Sequence, residues 1–234
     1  LGQLADLEAD ANEVMLVARR VRRPDIEAEA LRLLSTIQWS NGNLAQMEKK
    51  LHAALKLATD VSATLRTVEA KCCCDLAWCY ACQGDPIASE MYATHARETY
   101  VSLDNKHGEA CALITLADAS IGRGDFDRSL RYLQQAAQTF RQFKDAYNEN
   151  LALNNMAFAC EQLGDLRQAR VIYGRARASY DAGNGCGNLH IILCNLGGVA
   201  CALGDYAQAA DYATQAETAA LKLNSHDDDA RLHM

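Results

Sequence analysis

The sequence is poor in proline and contains no long apolar run. Only two prolines occur among 234 residues, which favours a nearly all-helical chain. No stretch approaches the ~18 consecutive apolar residues of a membrane-spanning helix. An excess of positive charge is also lacking, because the formal net charge is −7. We therefore expect no membrane partner and no non-specific binding to nucleic acid, which requires a basic surface.

Cysteine, in contrast, is abundant, with ten residues that fall mostly in helical patterns. Long helical arrays do not depend on disulfides, and a free cysteine packs as a small apolar residue. We therefore expect reduced thiols and a cytoplasmic location. Cys72, Asp75, Cys79 and Cys82 share one helical face and raise the hypothesis of a zinc site. Because they span about 15 Å of helix, too far for one tetrahedral ion, we expect no metal and no cofactor.

A Gly-Asp pair recurs along the chain at a constant interval of 40 residues, with a Gly-Asn variant 42 residues before the first pair. The pairs are Gly42-Asn43, Gly84-Asp85, Gly124-Asp125, Gly164-Asp165 and Gly204-Asp205. A constant interval of this length is typical of a repeat array, in which one supersecondary unit is stacked many times. Such arrays bury a core between neighbouring units and leave an extended surface free for binding.

The residues around each pair predict a helical hairpin. Leu113, Leu116 and Ala117 have helical spacing before Gly124, and Leu133 continues an apolar stripe after Asp125. Glycine ends a helix without strain in the left-handed conformation, and aspartate caps the free N–H groups of the next helix. The predicted limits are a cap or half repeat at 1–24, hairpins at 25–66, 67–106, 107–146, 147–186 and 187–229, and the start of a further repeat at 230–234.

These features resemble the tetratricopeptide repeat. The pattern is seen best in Leu163-Gly164-Asp165 followed by Ala169, Tyr173 and Ala176. The 40-residue interval is similar to that of kinesin light chain, of Leu-Gly-Asn repeat proteins and of bacterial regulators that contain such repeats. The resemblance implies an all-α fold, a right-handed superhelix (α-solenoid) of about five hairpins plus terminal helices. The chain begins without Met and ends inside a repeat, so we expect it to be part of a longer protein.

Alignment of the units predicts which residues of the first helices line a concave groove. Short polar side chains would hydrogen-bond the main chain of a ligand, and large apolar side chains would anchor it. The predicted groove residues are Lys71, Asp75, Trp78, Ile114, Thr115, Asp118, Asn154, Asn155, Phe158 and Asn195. The Asn-Leu-Gly/Ala segment of the resembling proteins is only half present, because Asp75 and Thr115 replace Asn in two units.

No catalytic motif accompanies this scaffold. None of the six histidines pairs with another at the spacing of a metal helix, and no nucleophile elbow or phosphate loop occurs. The glycine-rich segment 183–187 falls between two repeats, where a loop is expected. We therefore expect a non-enzymatic module that holds a protein or peptide. Two alternatives stay open, a sensory or dimerising region of a larger bacterial signalling protein, and self-association as a homodimer.

Overall fold

The computed structural model describes residues 2–59, 63–181 and 189–232, with side chains for 5–59, 65–179 and 189–222. Every regular element in these ranges is a helix, and the prediction of an all-α chain is confirmed. The helices are α1 Gly2–Arg20, α2 Pro24–Ser40, α3 Leu44–Ala58, α4 Ala63–Gln83, α5 Pro86–Ser102, α6 Lys106–Gly122, α7 Phe126–Phe143, α8 Ala146–Gln162, α9 Leu166–Asp181, α10 Leu189–Ala202 and α11 Tyr206–Leu232. Across the described ranges, no helix is both long and apolar enough to cross a bilayer.

The chain forms two compact units, Leu1–Gly124 and Asp125–Met234. In the first unit, each helix from α1 to α6 packs against the next, and the first helices of the hairpins, α2, α4 and α6, also pack side by side. In the second unit, α7 to α11 pack in the same sequential manner. Within each unit, every helix therefore contacts its neighbours in sequence, as expected for a repeat protein.

The Gly-Asp turns have the predicted geometry. Their glycines, Gly42, Gly84, Gly124, Gly164 and Gly204, have φ between +72° and +81°. The residue after each glycine caps the second helix of its hairpin. The Asp85 carboxylate accepts hydrogen bonds from the N–H groups of Ile87 and Ala88 at 3.1 and 3.0 Å, and Asn43 accepts from Gln46 at 3.2 Å. Together the glycine and the carboxylate satisfy backbone groups on both sides of the turn.

The turns between hairpins have the same form without glycine. Asp104 and Lys144 have φ of +51° and +57°, the left-handed region that side chains with a Cβ enter at a cost. The next residue again acts as the cap, since Asn105 accepts from the Gly108 N–H at 2.8 Å and Asp145 from the Asn148 N–H at 3.1 Å. The sequence analysis placed repeat limits beside these turns, at 106/107 and 146/147, but it did not identify Asp104 and Lys144 as left-handed residues.

Small and medium apolar residues fill the core. In the first unit, Leu34, Leu51 and Leu76 are completely buried, and Cys72 packs with Leu31 and Ala58. In the second unit, the fully buried side chains include Leu133, Phe140, Tyr173 and Leu196. The buried cysteines thus occupy apolar packing positions, as is usual for a free cysteine.

The last hairpin contains one long helix. Helix α11 extends from Tyr206 to Leu232, and no glycine or proline interrupts residues 206–232. On this helix, Ala213 is exposed and Ala216 is buried. The repeat limits, including the start of a further repeat at 230–234, stay a prediction, and segment 183–187 and Cys186 lie outside the described residues.

Candidate functional site

The first helices of neighbouring hairpins present residues that face each other at repeat-related positions. Four charged side chains form a chain of ion pairs between α2 and α4. Glu29 accepts from Arg32 Nε at 2.8 Å and from Lys71 Nζ at 2.6 Å, while Arg32 also donates to Asp75 Oδ2 at 3.1 Å. Their side chains are 30–42% exposed, so solvent screens these pairs and they add little stability. The network mainly fixes the positions of Lys71 and Asp75 on this surface.

The two carboxyl groups of this network have opposite pKa shifts. Burial raises the pKa of Asp75, and the opposing effect of Arg32 is smaller, so the pKa of Asp75 lies above its ordinary value. Burial also raises the pKa of Glu29, but hydrogen bonds from Lys71 and Arg32 together outweigh it and the net shift is downward. An additional hydrogen-bond donor on a ligand would therefore stabilise the ionised form of Asp75 more than that of Glu29.

The contact between Arg32 and Asp75 recurs at equivalent positions with different chemistry. Between α8 and α10, Asn195 Nδ2 donates to Asn154 Oδ1 at 3.0 Å. The repeat thus places one diagonal contact between successive first helices twice, once as an ion pair and once as an amide pair.

The two tryptophans of the chain meet on the surface of the first unit. Trp39 of α2 and Trp78 of α4 have ring centroids 4.8 Å apart in an edge-to-face arrangement, a favoured geometry for aromatic pairs. Trp39 is 44% exposed and Trp78 is half-buried. Sequence analysis selected Trp78 but missed Trp39, which lies three residues beyond the column that aligns with Trp78.

A cavity of about 300 Å³ opens beside the charged network in the first unit. It is bounded by side chains from α2, α4, α5 and α6 and by the turn before α6. Its lining residues are Arg32, Thr67, Lys71, Cys74, Asp75, Tyr100, Asn105, His107, Gly108 and Cys111. Sequence analysis selected Lys71 and Asp75 as groove residues, but nothing in a single helix pattern reveals that Tyr100 and His107 line the same cavity.

The second unit carries a row of amide side chains. Asn154 donates through Nδ2 to Asn155 Oδ1 at 3.3 Å and accepts from Asn195 at 3.0 Å. All three are half-buried. Beside them, Phe158 is 39% exposed and Ile191 is 43% exposed. The unit therefore presents fixed amide groups next to apolar surface, the combination on which the sequence-based expectation depends.

The other predicted groove residues are placed less favourably for ligand contact. Ile114 is 6% exposed, so it packs in the core and offers almost no surface as an anchor. Thr115 is half-buried, and its hydroxyl donates to the Ala112 carbonyl oxygen at 2.9 Å within the same helix. Asp118 is half-buried on α6.

The thiols are held in an unreactive form where they are buried. Burial raises the pKa of Cys72 and Cys73 to about 12 and that of Cys79 to about 11. A thiol with such a pKa has almost no thiolate at neutral pH, and the thiolate is the nucleophile and metal ligand. Across the described residues, no three His, Cys, Asp or Glu side chains are grouped as a metal site requires.

Comparisons with known proteins identify the scaffold. The family model of the tetratricopeptide repeat matches residues 108–182 and again residues 148–222. The two matches are offset by 40 residues, the same interval as the Gly-Asp pairs. No curated protein matches the sequence.

Several solved structures have a similar fold. BtubC (BKLC) from P. vanneervenii superposes with a TM-score of 0.76 at 20% identity, over 94% of this chain and 92% of that protein. A Rap protein in complex with Competence and Sporulation Factor has a TM-score of 0.76 at 18% identity, over 85% of this chain and 55% of that one. The Rap conjugation gene regulator of plasmid pLS20, in complex with a Phr peptide, has a TM-score of 0.71 at 14% identity.

That superposition covers 91% of this chain and 59% of the plasmid regulator. This chain therefore spans little more than half the length of either Rap protein. At these identities the similarity shows the fold alone. Residues 108–222 therefore belong to the tetratricopeptide-repeat family, and the helical fold of that family extends over most of the chain.

Proposed function

We propose that this chain is a non-catalytic module that holds a protein or peptide segment against the first helices of its hairpins. The observation that carries the proposal is the amide row of the second unit. Its side chains are oriented by hydrogen bonds to each other before any ligand arrives. The amide oxygen of Asn195 accepts no hydrogen bond from a described residue. A ligand N–H group can therefore bind to it without displacing an internal contact.

Main-chain recognition explains why the row consists of asparagine. An amide offers both a donor and an acceptor, so it pairs with a peptide group whatever the ligand side chain is. Apolar surface beside the row, from Phe158 and Ile191, supplies the contact area that hydrogen bonds alone do not provide. In the first unit, the Trp39–Trp78 pair has the corresponding role beside Asp75. The plasmid-encoded Rap regulator, whose structure contains a peptide, supports this class of ligand.

A peptide array or pull-down with purified chain tests the proposal. Phe158→Ala should weaken binding about thirtyfold if the ring is a hot spot worth ~2 kcal/mol. The matched control is Phe143→Ala, which removes a ring that is 53% exposed at the end of α7, a second helix. Asn155→Ala/Asn195→Ala should also weaken binding, whereas Gln138→Ala on the exposed side of α7 should not.

Circular dichroism must show that all variants remain helical. If partners are captured and the first-helix variants bind as well as both controls, the first-helix surface is not the binding site. Equal weakening by Phe158→Ala and Phe143→Ala would likewise point to a general loss of structure and contradict a specific site.

A second candidate is the sensory region of a larger signalling protein that acts in the cytoplasm. The superpositions cover only 55% and 59% of the two Rap proteins, so in those proteins a similar helical array is part of a longer chain. This similarity supports the second candidate. The two candidates differ in what ligand binding does. A recognition module needs only affinity, which this chain should retain by itself. A sensory region should change the activity of the full-length protein when the ligand is added, and Phe158→Ala should abolish that response.

A further inference from the structure

A second cavity of the first unit, of about 350 Å³, lies between helices α3, α4 and α5. It shares no lining residue with the 300 Å³ cavity beside the charged network, so it is separate from the first-helix surface proposed above. Its volume is at the lower end of the range for sites that enclose a ligand. Its lining residues include Leu55, Thr59, Glu69, Met91, Tyr92 and His95.

One carboxylate and one aromatic ring of this cavity are held in fixed positions. Glu69 Oε1 lies 2.8 Å from His95 Nε2, and the Glu69 side chain is only 15% exposed. Glu69 has no other hydrogen-bond or ion-pair partner among the described residues, so its Oε2 is available to a ligand. The Tyr92 ring stacks on Tyr80, with centroids 5.4 Å apart and an interplanar angle of 5°. Carboxylates and aromatic faces both attract cations.

At the equivalent position of three other hairpins, a glutamate binds an arginine of the helix that precedes it. The pairs are Glu27–Arg19, Glu109–Arg97 and Glu149–Arg141, with nitrogen–oxygen distances of 2.6, 3.5 and 2.6 Å. Glu69 belongs to the same column, because it too lies 15 residues before the glycine of its hairpin. Its preceding helix, α3, contains no arginine. Counted from the hairpin glycine, the position of Arg141 corresponds to Thr59, which lines the cavity.

The tyrosine of the cavity belongs to a second column in which an arginine occurs. Tyr212 lies three repeats after Tyr92, and the Arg177 guanidinium of α9 lies 5.7 Å from the Tyr212 ring centroid. Counted again from the glycine, the position of Arg177 corresponds to Leu55, a shorter apolar residue that lines the cavity. The carboxylate and the ring of this cavity therefore both lack the arginine that accompanies their equivalents elsewhere in the chain.

The outer surface of α5 beside the cavity is apolar. Met91 lines the cavity, Ile87 lies one turn before it, and the two residues are 59% and 72% exposed. The equivalent residues of α7 are Asp127 and Arg131, which suit a solvated surface. An exposed apolar pair next to a cavity with a carboxylate adds contact area for a ligand larger than one cationic group.

We propose that this cavity binds an arginine side chain of a partner protein. The guanidinium pairs with Glu69 Oε2 and lies against the Tyr92 ring, while the aliphatic stem contacts Leu55. An apolar residue next to that arginine packs on Ile87 and Met91, so the ligand is a segment of protein rather than a free guanidinium compound. The formal net charge of −7 favours the approach of such a basic segment.

A nuclear magnetic resonance titration of the purified chain with acetyl-Leu-Arg-amide tests the proposal. The control probe is acetyl-Leu-citrulline-amide, in which a neutral urea group replaces the guanidinium. We expect the arginine probe to shift the signals of Thr59, Glu69 and Met91 with a dissociation constant of about 1 mM, and the citrulline probe to bind at least tenfold more weakly. The absence of saturable shifts at ~10 mM arginine probe, or equal affinity of the two probes, overturns the proposal.

Substitutions test the carboxylate and the missing arginine. Glu69→Gln removes the charge but still accepts from His95, and it should weaken the arginine probe at least tenfold. The matched control, Glu149→Gln, changes a glutamate that already binds an arginine of the chain, and it should bind the probe as the wild type does. Thr59→Arg supplies the missing arginine, so it should also abolish probe binding while the circular dichroism stays helical. If either Glu69→Gln or Thr59→Arg binds the probe as tightly as the wild type, the proposal is wrong.

A second pair of probes tests whether the ligand is a protein segment. Acetyl-Ser-Arg-amide should bind at least threefold more weakly than acetyl-Leu-Arg-amide, because serine does not bury apolar area on Ile87 and Met91. Met91→Ser should remove that difference. Equal affinity of the wild type for the two arginine probes overturns a protein segment as the ligand and favours a free guanidinium compound.

Discussion

Replacing Gly108 by alanine tests how closely the helices of the first unit approach each other. Gly108 lies in the first turn of α6, facing Tyr100 of α5, which is 4% exposed. A Cβ on Gly108 would lie 2.3 Å from Tyr100 Cδ1 and 2.4 Å from Cε1. Ordinary carbon–carbon contacts are about 3.5–4.0 Å, so the ring must move by more than ~1 Å.

The magnitude follows from two opposing effects. Overpacking of a well-filled site costs about 1–3 kcal/mol, because the ring must leave its rotamer or shift the backbone. Alanine is a better helix former than glycine, but that gain is at most ~1 kcal/mol and is smaller in a first turn. We therefore expect Gly108→Ala to lower the free energy of unfolding by about 1–2 kcal/mol. Tyr100 also lines the 300 Å³ cavity, so a ring displaced into it would close that space.

Urea denaturation followed by circular dichroism measures the loss, and Gly174→Ala provides the control. Gly174 lies inside α9, with no heavy atom within 4 Å of its virtual Cβ, so the same substitution should stabilise by about 0.5–1 kcal/mol. Adding Tyr100→Leu to Gly108→Ala should recover part of the loss. If Gly108→Ala is as stable as the wild type, the close approach of α5 and α6 is not a constraint and the reasoning is refuted.

Three further predictions concern turns and thiols. Gly124→Val and Gly42→Val each force a β-branched residue into φ near +75°, and each should lower the free energy of unfolding by more than ~1 kcal/mol. The loss should be larger at the central site, Gly124, because hairpins couple only to their neighbours. Equal losses in denaturation experiments would contradict that coupling. Lys144→Gly should raise the free energy of unfolding by ~0.5–1 kcal/mol, because Lys144 has φ of +57°, a conformation that glycine adopts without strain. An unchanged melting temperature would argue against strain at Lys144. Iodoacetamide should label the exposed Cys194 and Cys201 rapidly, while Cys72 and Cys73 stay protected. The pKa of Cys72 and Cys73 is about 12, so both thiols remain almost entirely protonated when the pH is raised from about 7 to 9. If mass spectrometry shows that both are labelled rapidly at pH 9, the two thiols are not held in the protonated form.

Much of the fold was predictable because its key signals are local. A glycine with positive φ followed by a side-chain cap is encoded in two adjacent residues, and the constant interval between pairs gives the length of the hairpin. The structure departs from the pattern where the encoding residue is not distinctive. Lys144 adopts the left-handed conformation that glycine prefers, and no sequence rule singles it out.

The candidate site was predictable only as columns of positions. Alignment selected Lys71 and Asp75, and both side chains bond to charged residues of the preceding first helix, because residues one repeat apart occupy equivalent places on neighbouring helices. It did not anticipate that Ile114 is buried, since the depth of a column depends on how closely two helices approach. Nor did it find Trp39, whose contact with Trp78 joins two different columns. Distances between helices, rather than spacing along one helix, determine these outcomes.

The diagonal contact between successive first helices connects this geometry to the proposed function. At equivalent positions it is an ion pair at Arg32–Asp75 and an amide pair at Asn154–Asn195. Because the backbone positions recur while the side chains change, the scaffold is independent of the chemistry that it presents. At this contact the first unit presents charged side chains to a ligand, and the second unit presents neutral amide side chains. A ligand segment that binds the first unit should therefore show salt-dependent affinity, and a ligand segment that binds the second unit should show salt-insensitive affinity.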